Sequence, residues 1–417
     1  MGPRALRQRP AGSHWSSASG AALPPLPPSP WRSRLREALA ALPAERRRRL
    51  RCFASPAADG SAPLVPQDGN APLLDLASND YLGLSRHPAV CAAAAAELAS
   101  GGLGAGASRL VSGTRPVHLA LEAALAAWLG RERVLLFPSG FQANLAAVTA
   151  LADRHSLVLA DRLIHHSLLA GVRASGARLR RYAHNDLADL EHQLAAARAT
   201  QPAARLLVLM ESLYSMEGTS PDLAGLAALC ARHNAALLVD EAHALGVLGP
   251  EGRGLSYGLG EVALVSGTLG KAFGSGGAFL AADEPVGEWL LQSSGAFRYT
   301  TALAPPLAAG ALAALTQLRQ EPEAGAALCR RAGRWRDALV ATGWPRPPGN
   351  GPILPLLVGD DGRALALQQR LEAAGLLTVA IRPPTVPEGT ARLRLVLRRD
   401  LPAGTLERLV PVLGPGG

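Results

Sequence analysis

The chain has 417 residues, of which 48% are hydrophobic and 18% charged, and its formal net charge is +9. This composition is typical of a globular protein with a large core and two or three domains. No uncharged apolar run reaches the ~18 residues of a transmembrane helix, and the four cysteines, at positions 52, 91, 230 and 329, form no CxxC pair. Membrane-spanning, zinc-binding and disulfide-framework classes are therefore excluded, and a reducing, cytoplasmic location is expected.

The positive charge is concentrated in the first 51 residues. They contain eleven arginines against Glu37 and Glu45, a net charge of +9, so the other 366 residues are neutral overall. A neutral body argues against nucleic-acid binding, and the arginine run at 46–49 is typical of a solvated helix face. Residues 1–30 contain no acidic residue and are rich in Pro, Ser, Gly and Ala. They are predicted to be a disordered leader, with a transit peptide or a mistaken start codon as alternatives.

Helices and strands are predicted in the following chain order. Residues 31–80 form an N-terminal helical segment, in which a helix or helix pair over 31–50 is broken near Pro43 and an irregular stretch follows. Further helices are predicted over 88–100, 117–130 and 223–234, and a long helix begins near 302. Apolar runs of strand length occur at 133–137, 156–161, 205–211, 235–242, 262–267 and 278–283, and at 351–360, 376–384 and 391–399 around a helix at 362–375.

Continuous apolar strands separated by helices favour an α/β fold with a mostly parallel sheet covered on both faces. The predicted division is a large domain over 81–300 and a smaller C-terminal α+β domain over 301–417. In such sheets ligands bind at the C-terminal ends of the strands. Polar residues follow five successive strands there, namely Ser139, Gly140, His165, Ser215, Asp240, His243, Thr268 and Lys271.

Lys271 is the only lysine among 42 basic residues, and it lies in the glycine-rich stretch VSGTLGKAFGSGG, residues 265–277. A bias toward arginine accounts for the missing lysines but not for this one. Arginine stays protonated in proteins, whereas a lysine amine can lose its proton and form an imine. Lys271 therefore indicates imine chemistry, with a lysine left on the surface by chance as the alternative.

Two further features fit a cofactor with a pyridine ring. Asp240 ends a buried strand, where a protonated ring nitrogen would satisfy its charge, although a helix N-cap is an ordinary role for such a residue. His243 follows three residues later and can reach the same side. His165, or its neighbour His166, can lie over a flat ring.

The strand–helix turn PSGFQAN, residues 138–144, offers the backbone amides of Gly140 and Phe141 to a phosphate, although an ordinary turn has the same pattern. Other glycine-rich stretches lack the GxGxxG placement of a dinucleotide site and the spacing of a Walker loop, and HExxH and GxSxG are absent. The lysine, the aspartate, the histidines and the phosphate turn together predict pyridoxal 5'-phosphate (PLP) as cofactor and no metal.

Six motifs carry a resemblance to a known family: NDYLGL (79–84), SRLVSGT (108–114), SGFQAN (139–144), ESLYSMEG (211–218), VDEAHALGVLGPEGRG (239–254) and SGTLGKAFGSGG (266–277). With these motifs in order, residues 32–410 resemble the α-oxoamine synthases, a group of fold-type I PLP-dependent transferases. The resemblance implies a mostly parallel seven-stranded sheet flanked by helices, a smaller C-terminal domain and a homodimer.

The resemblance also implies a role for each matched position. Lys271 would hold the cofactor covalently, and Asp240 would pair with its ring nitrogen. His243 would bond its phenolic oxygen, and His165 would stack on its ring. The other cofactor contacts are assigned to Gly140, Phe141, Ser215, Thr268 and Thr301, the last from the neighbouring subunit and with Thr300 as its alternative. Substrate contacts are assigned to Arg51, Asn79, His165, Thr385 and Arg394.

Members of this group join an amino acid to an acyl thioester with loss of carbon dioxide. The stretch AIRPPTVPEGTARLRL (380–395) resembles the member of the biotin pathway, so the expected substrates are L-alanine and pimeloyl-CoA or a pimeloyl carrier protein. Another synthase of the group, such as glycine C-acetyltransferase, is the nearest alternative. A catalytically silent homologue and a nucleic-acid-binding protein are alternatives from other classes.

Overall fold

The computed structural model describes residues 29–54, 64–66 and 71–415, so nearly all of the predicted leader lies outside the described residues. Contacts divide the chain into two compact units, 1–48 and 49–417. In the first unit, α1 (Pro30–Ala41) precedes a 3₁₀ turn (Ala44–Arg46). Pro43 separates the two, as predicted, because proline cannot continue a helix. The Arg47 guanidinium donates to the carbonyl oxygens of Leu39 and Leu42 at 3.2 and 3.3 Å, which satisfies the end of α1.

The second unit contains the other α-helices of the described residues. They are α2 (Pro88–Gly101), α3 (Pro116–Leu129), α4 (Gly140–Leu151), α5 (His166–Ser175), α6 (Leu187–Thr200), α7 (Leu223–Arg232), α8 (Glu284–Ser293), α9 (Gly295–Arg298), α10 (Pro305–Gln320), α11 (Ala324–Ala341), α12 (Asp361–Ala373) and α13 (Thr405–Leu413). Four of them, α2, α3, α8 and α10, have proline at one of their first two positions, where no intrahelical donor is needed.

Residues 31–80 are helical only as far as Arg46. Three two-residue strands follow, β1 (Phe53–Ala54), β2 (Val65–Pro66) and β3 (Leu74–Asp75). β1 and β2 pair in antiparallel orientation. The stretch predicted to be irregular after the first helix thus contains short paired strands that were not predicted from the sequence.

The central sheet has seven strands. They are β4 (Arg133–Phe137), β5 (Ser156–Asp161), β6 (Arg178–Tyr182), β7 (Arg205–Glu211), β8 (Ala236–Asp240), β9 (Val262–Thr268) and β10 (Ala278–Ala282). Their order is β4-β10-β9-β8-β7-β5-β6. Only β10 is antiparallel to its neighbours, and the other pairs are parallel. The prediction of a mostly parallel, seven-stranded sheet is confirmed.

A smaller antiparallel sheet forms near the C-terminus. Its strands, in the order β11-β14-β13, are β11 (Ile353–Gly359), β13 (Val379–Ile381) and β14 (Ala391–Val396). β12 (Leu376–Leu377) instead pairs in parallel with β3. The single strand predicted over 376–384 is therefore two strands that join different partners. The division between 81–300 and 301–417 stays a prediction, because the contacts separate the chain only after residue 48.

The central sheet carries an apolar cluster on each face. Successive strand residues alternate between them, so that Val208 and Leu237 pack in one cluster and Leu207 and Leu238 in the other. No helix among the described residues has the length and apolarity needed to cross a bilayer. Six of the seven strands run in the same direction and end at one edge of the sheet, which is where the predicted polar residues are found.

Candidate active site

Lys271 lies in a tight turn three residues after β9. The amide of Gly274 donates to the Lys271 carbonyl at 2.8 Å, and the amide of Ser275 donates to Leu269 at 2.9 Å. Gly274 has φ +62°, and a Cβ there would lie 2.1 Å from the amide nitrogen of Ser85. Only glycine fits this left-handed conformation and this close approach, so the glycine-rich sequence determines where the lysine is held.

The Lys271 amine is held in a form that can lose its proton. Burial lowers the pKa of Lys271 to about 8, and the charge of Arg394 acts in the same direction, while Asp240 and Glu211 oppose both. No described residue forms a hydrogen bond or an ion pair with the amine. A lysine with a depressed pKa and no fixed partner is suited to nucleophilic and general-base chemistry.

Asp240 is the last residue of β8 and is only 5% exposed. Its Oδ1 accepts from the amide of Ala242 at 2.9 Å, and its Oδ2 accepts from Asn144 Nδ2 at 2.7 Å. Asn144 belongs to the motif SGFQAN, but sequence reasoning assigned it no role. The available signal was its position on α4, four residues after Gly140 and therefore on the same helix face.

His165 is the N-cap of α5, and its Nδ1 lies 2.6 Å from the hydroxyl of Ser167. Its ring borders a cavity. Burial by the surrounding protein atoms lowers the pKa of His165, and the carboxylate of Asp240 partly offsets that lowering. His166 instead begins α5, with its ring 6.4 Å from that of Phe141. Both histidines line this cavity, and His165 is the one hydrogen-bonded to Ser167.

His243 lies three residues beyond Asp240 and is 6% exposed. Burial lowers its pKa well below the ordinary value, and the nearby charges of Lys271 and Arg394 add to the effect. Its Nδ1 lies 2.5 Å from the hydroxyl of Tyr81, whose pKa burial raises. Tyr81 keeps its proton and donates, so the remaining proton of the neutral imidazole is on Nε2. Sequence analysis missed Tyr81, although it lies in the motif NDYLGL.

Arg394 and Asn79 are brought together on the other side of the site. Arg394, in β14, donates through Nε to the carbonyl of Ser215 at 2.6 Å and through a terminal nitrogen to Asn79 Oδ1 at 3.0 Å. Arg394 is 6% exposed and Ser215 is 9% exposed. The small antiparallel sheet thus supplies a buried guanidinium to the edge of the central sheet.

Glu211 is a second buried carboxylate that the sequence analysis did not select. It ends β7, lies opposite Asp240 in the parallel register and is 3% exposed. Burial raises its pKa well above the ordinary value, and Asp240 contributes in the same direction. Burial and the neighbouring carboxylate therefore both favour the protonated form of Glu211.

The strand–helix turn after β4 has the geometry of an anion site. The Ser139 hydroxyl caps α4 by accepting from the amide of Gln142 at 3.3 Å. Gly140 and Phe141 are the first two residues of the helix, so their amides have no intrahelical acceptor. Thr268, at the end of β9, lies beside them, because a Cβ on Gly140 would be 3.9 Å from its hydroxyl.

The remaining predicted residues lie in three different places. Thr385 lines a cavity of about 570 Å³ together with His165 and Ser215. Arg51 forms an ion pair with Glu372, on α12, at 2.6 Å. Thr301 is exposed and forms an isolated antiparallel bridge with Ser108.

Comparison with known proteins identifies the family of the chain. Residues 71–413 match the family described as aminotransferase class I and II. An 8-amino-7-oxononanoate synthase of Gluconacetobacter diazotrophicus is 45% identical over 88% of this chain and 93% of its own length. One from Nitrosococcus oceani is 44% identical over 82% and 92%.

Solved structures share the fold. A serine palmitoyltransferase of Sphingomonas wittichii has a TM-score of 0.82 and 28% identity over 92% of this chain and 96% of its own. The 8-amino-7-oxononanoate synthase of Francisella tularensis has a TM-score of 0.68 and 27% identity over 82% and 96%. The chain therefore belongs to the class I and II aminotransferase family, among the 8-amino-7-oxononanoate synthases.

Proposed function

We propose that the chain catalyses the PLP-dependent, decarboxylative condensation of L-alanine with a pimeloyl thioester, carried on CoA or on an acyl-carrier protein. The products are 8-amino-7-oxononanoate, carbon dioxide and a free thiol, and the reaction belongs to biotin biosynthesis. The observation that carries the proposal is the single lysine, with its pKa lowered to about 8, at the same sheet edge as a buried strand-end aspartate. Relatives with 44 and 45% identity bear the name of this activity and do not favour glycine C-acetyltransferase.

The donor set at the sheet edge fits PLP. Lys271 would hold the aldehyde carbon, Asp240 would face the ring nitrogen, and His165 would cover the ring. The unpaired amides of Gly140 and Phe141, at the positive end of the α4 dipole, suit the phosphate. When bound there, PLP supplies an electron sink that stabilises negative charge on the α-carbon of the amino acid.

The remaining cofactor contacts follow from neighbours of these residues. Thr268 and Ser215 are proposed to contact the cofactor from the ends of their strands. The neutral imidazole of His243 would donate from Nε2 to the phenolic oxygen, since Tyr81 occupies its Nδ1. Together they keep the ring in one orientation.

Lys271 would accept the proton from the alanine α-carbon. Arg394 and Asn79 would hold the alanine carboxylate, and Asp240 would stabilise a positive charge on the ring nitrogen. His165 shields one ring face from water. The α-carbon then bonds to the acyl carbon as the thiol leaves, the carboxylate departs as carbon dioxide, and Lys271 returns a proton to the α-carbon.

The acyl substrate is proposed to enter through the cavity that Thr385 and His165 line. Arg51 is proposed to contact it, a role that requires exchange of its present partner Glu372. A cytoplasmic location is proposed together with this biosynthetic role.

A homodimer is proposed in which Thr301, or Thr300, reaches the cofactor phosphate of the neighbouring subunit. The exposed side chains of Leu110 and Val111, which follow the bridge partner of Thr301, support an interface at this surface, since they are 55 and 79% exposed. Light scattering should then give twice the 43.1 kDa chain mass.

A purified-protein assay tests the proposed activity. L-alanine or glycine is supplied with pimeloyl-CoA, pimeloyl carrier protein, acetyl-CoA or succinyl-CoA, and carbon dioxide and free thiol are measured. Alanine with a pimeloyl thioester is expected to give the highest kcat/KM. Preference for glycine with acetyl-CoA would replace the proposal by its nearest alternative, and no turnover with any pair, despite bound cofactor, would support a silent homologue.

A further inference from the structure

The two site residues His165 and Asp240 are joined by a continuous chain of hydrogen bonds through Asn144 and Ser167. Asn144 Nδ2 lies 2.7 Å from Asp240 Oδ2 and 2.9 Å from the hydroxyl oxygen of Ser167. That hydroxyl lies 2.6 Å from Nδ1 of His165. Asn144 is 2% exposed and Ser167 is fully buried, so water does not compete for these contacts.

The direction of each hydrogen bond follows from the chemistry at the aspartate end. A carboxylate oxygen only accepts, so Asn144 must present its amide nitrogen to Asp240. The opposite rotamer of the amide would set two acceptor oxygens 2.7 Å apart. The same nitrogen supplies its second hydrogen to Ser167, whose oxygen therefore accepts from Asn144.

The hydrogen bond from Asn144 to Ser167 also determines the direction of the hydrogen bond between Ser167 and His165. Because the Ser167 oxygen already accepts from Asn144, its own hydrogen is free to point at His165 Nδ1. The backbone amide of Ser167 donates to the same Nδ1 at 3.3 Å. With two donors aimed at it, Nδ1 must be unprotonated, and the proton of the neutral ring must be on Nε2.

We infer that Asn144 and Ser167 are positioning residues that fix His165 as the Nε2–H tautomer while they hold Asp240 Oδ2. No described residue accepts a hydrogen bond from Nε2, so this N–H is offered to an oxygen of a substrate in the adjoining cavity. Asn144 therefore orients both His165, which would lie over the ring, and Asp240, which would face the ring nitrogen. The inference rests on the proposed position of the cofactor ring between these two side chains.

Nitrogen-15 NMR of histidine-labelled holoenzyme tests the inference without turnover. The signals of His165 are identified by their absence from the His165→Gln protein. Pyrrole-type Nε2 and imine-type Nδ1 signals are expected for the wild-type protein. A proton on Nδ1, or an even mixture of the two tautomers, would overturn the inference, whatever the substrate assay shows.

Variants separate this role from simple packing. Asn144→Leu and Ser167→Ala are each expected to populate the Nδ1–H tautomer. Ser156→Ala is the matched control, because Ser156 is also a buried serine with one side-chain acceptor, Asp153 at 3.1 Å, but lies at the start of β5. It is expected to change the unfolding midpoint and leave the His165 signals in place. Unchanged His165 signals in Asn144→Leu and Ser167→Ala would show that the two residues only pack.

Discussion

At the residue scale, the proposed chemistry depends on one amine and the groups that control its proton. Lys271 is the only lysine of the chain, and burial outweighs the attraction of Asp240 and Glu211 to lower its pKa to about 8. Asp240 was predicted from its place at a strand end, and the structure adds Asn144 as the donor that orients it. Burial of Lys271 lowers its pKa, and the buried Asn144 orients Asp240.

Replacement of Lys271 tests its role directly. Lys271→Ala and Lys271→Arg are both expected to lower kcat by about 10²–10⁴-fold, the typical contribution of a positioned proton-transfer group, because a guanidinium cannot lose its proton. Neither variant should retain a borohydride-fixed pyridoxyl group when the protein is examined by mass spectrometry. Substantial turnover by the arginine variant would show that only the positive charge matters.

The depressed pKa of Lys271 predicts a dependence of stability on pH in the cofactor-free protein. Between about pH 8 and the unfolded value of 10.5, the unfolded amine binds a proton and the folded one does not. The free energy of unfolding contributed by this group therefore rises with pH across that window. Denaturant midpoints measured at several pH values should show the rise in wild type, and Lys271→Met should lack it. Equal pH profiles for the two proteins would contradict the depressed pKa.

At the element scale, local sequence explains some strands better than others. β7 has the predicted bounds because residues 206–210 form a continuous apolar run that is buried on both faces. β6, RLRRY, was not predicted, because it is an edge strand whose residues 178–181 are exposed. Such a strand forms through backbone pairing with β5, and its side chains carry no apolar signal.

The lysine turn provides a prediction at this scale. Gly274→Ala is expected to destabilise the protein by more than about 1 kcal/mol, since a non-glycine residue in a left-handed conformation is strained and its Cβ would meet the backbone of Ser85. Gly104→Ala is the control, because a Cβ there meets nothing within 4 Å. Chemical denaturation should leave Gly104→Ala within about 0.5 kcal/mol of wild type. Similar midpoints for both variants would mean that the turn relaxes freely.

At the scale of the whole molecule, charge and family motifs occupy different parts of the chain. All of the net charge of +9 arises from residues 1–51, whereas the family match begins at residue 71. The site itself is assembled from distant parts of the sequence, since Arg394 contacts Asn79 and Ser215. Apart from Arg51, the basic N-terminus is therefore separate in sequence from the proposed site residues.

Deletion of residues 1–30 tests this separation. The deletion removes three arginines and no acidic residue, so the net charge falls from +9 to +6. The truncated protein is expected to elute earlier from a polyanion column and to keep the kcat/KM of the full chain, because no matched motif is removed. A large loss of turnover would assign the leader a catalytic or folding role.

The sequence by itself determined the fold class and the PLP cofactor, and it predicted Lys271, Asp240 and His165 as site residues. These follow from signals that are local in the chain: apolar strand runs, a lone lysine in a glycine-rich turn and contiguous motifs. Only the tertiary structure decided that Asn144 bridges His165 and Asp240, that Tyr81 bonds His243, and that Arg51 pairs with Glu372. Each of these contacts joins residues far apart in the chain or on different elements, and hydrogen-bond partners depend on distances and directions that residue order does not specify.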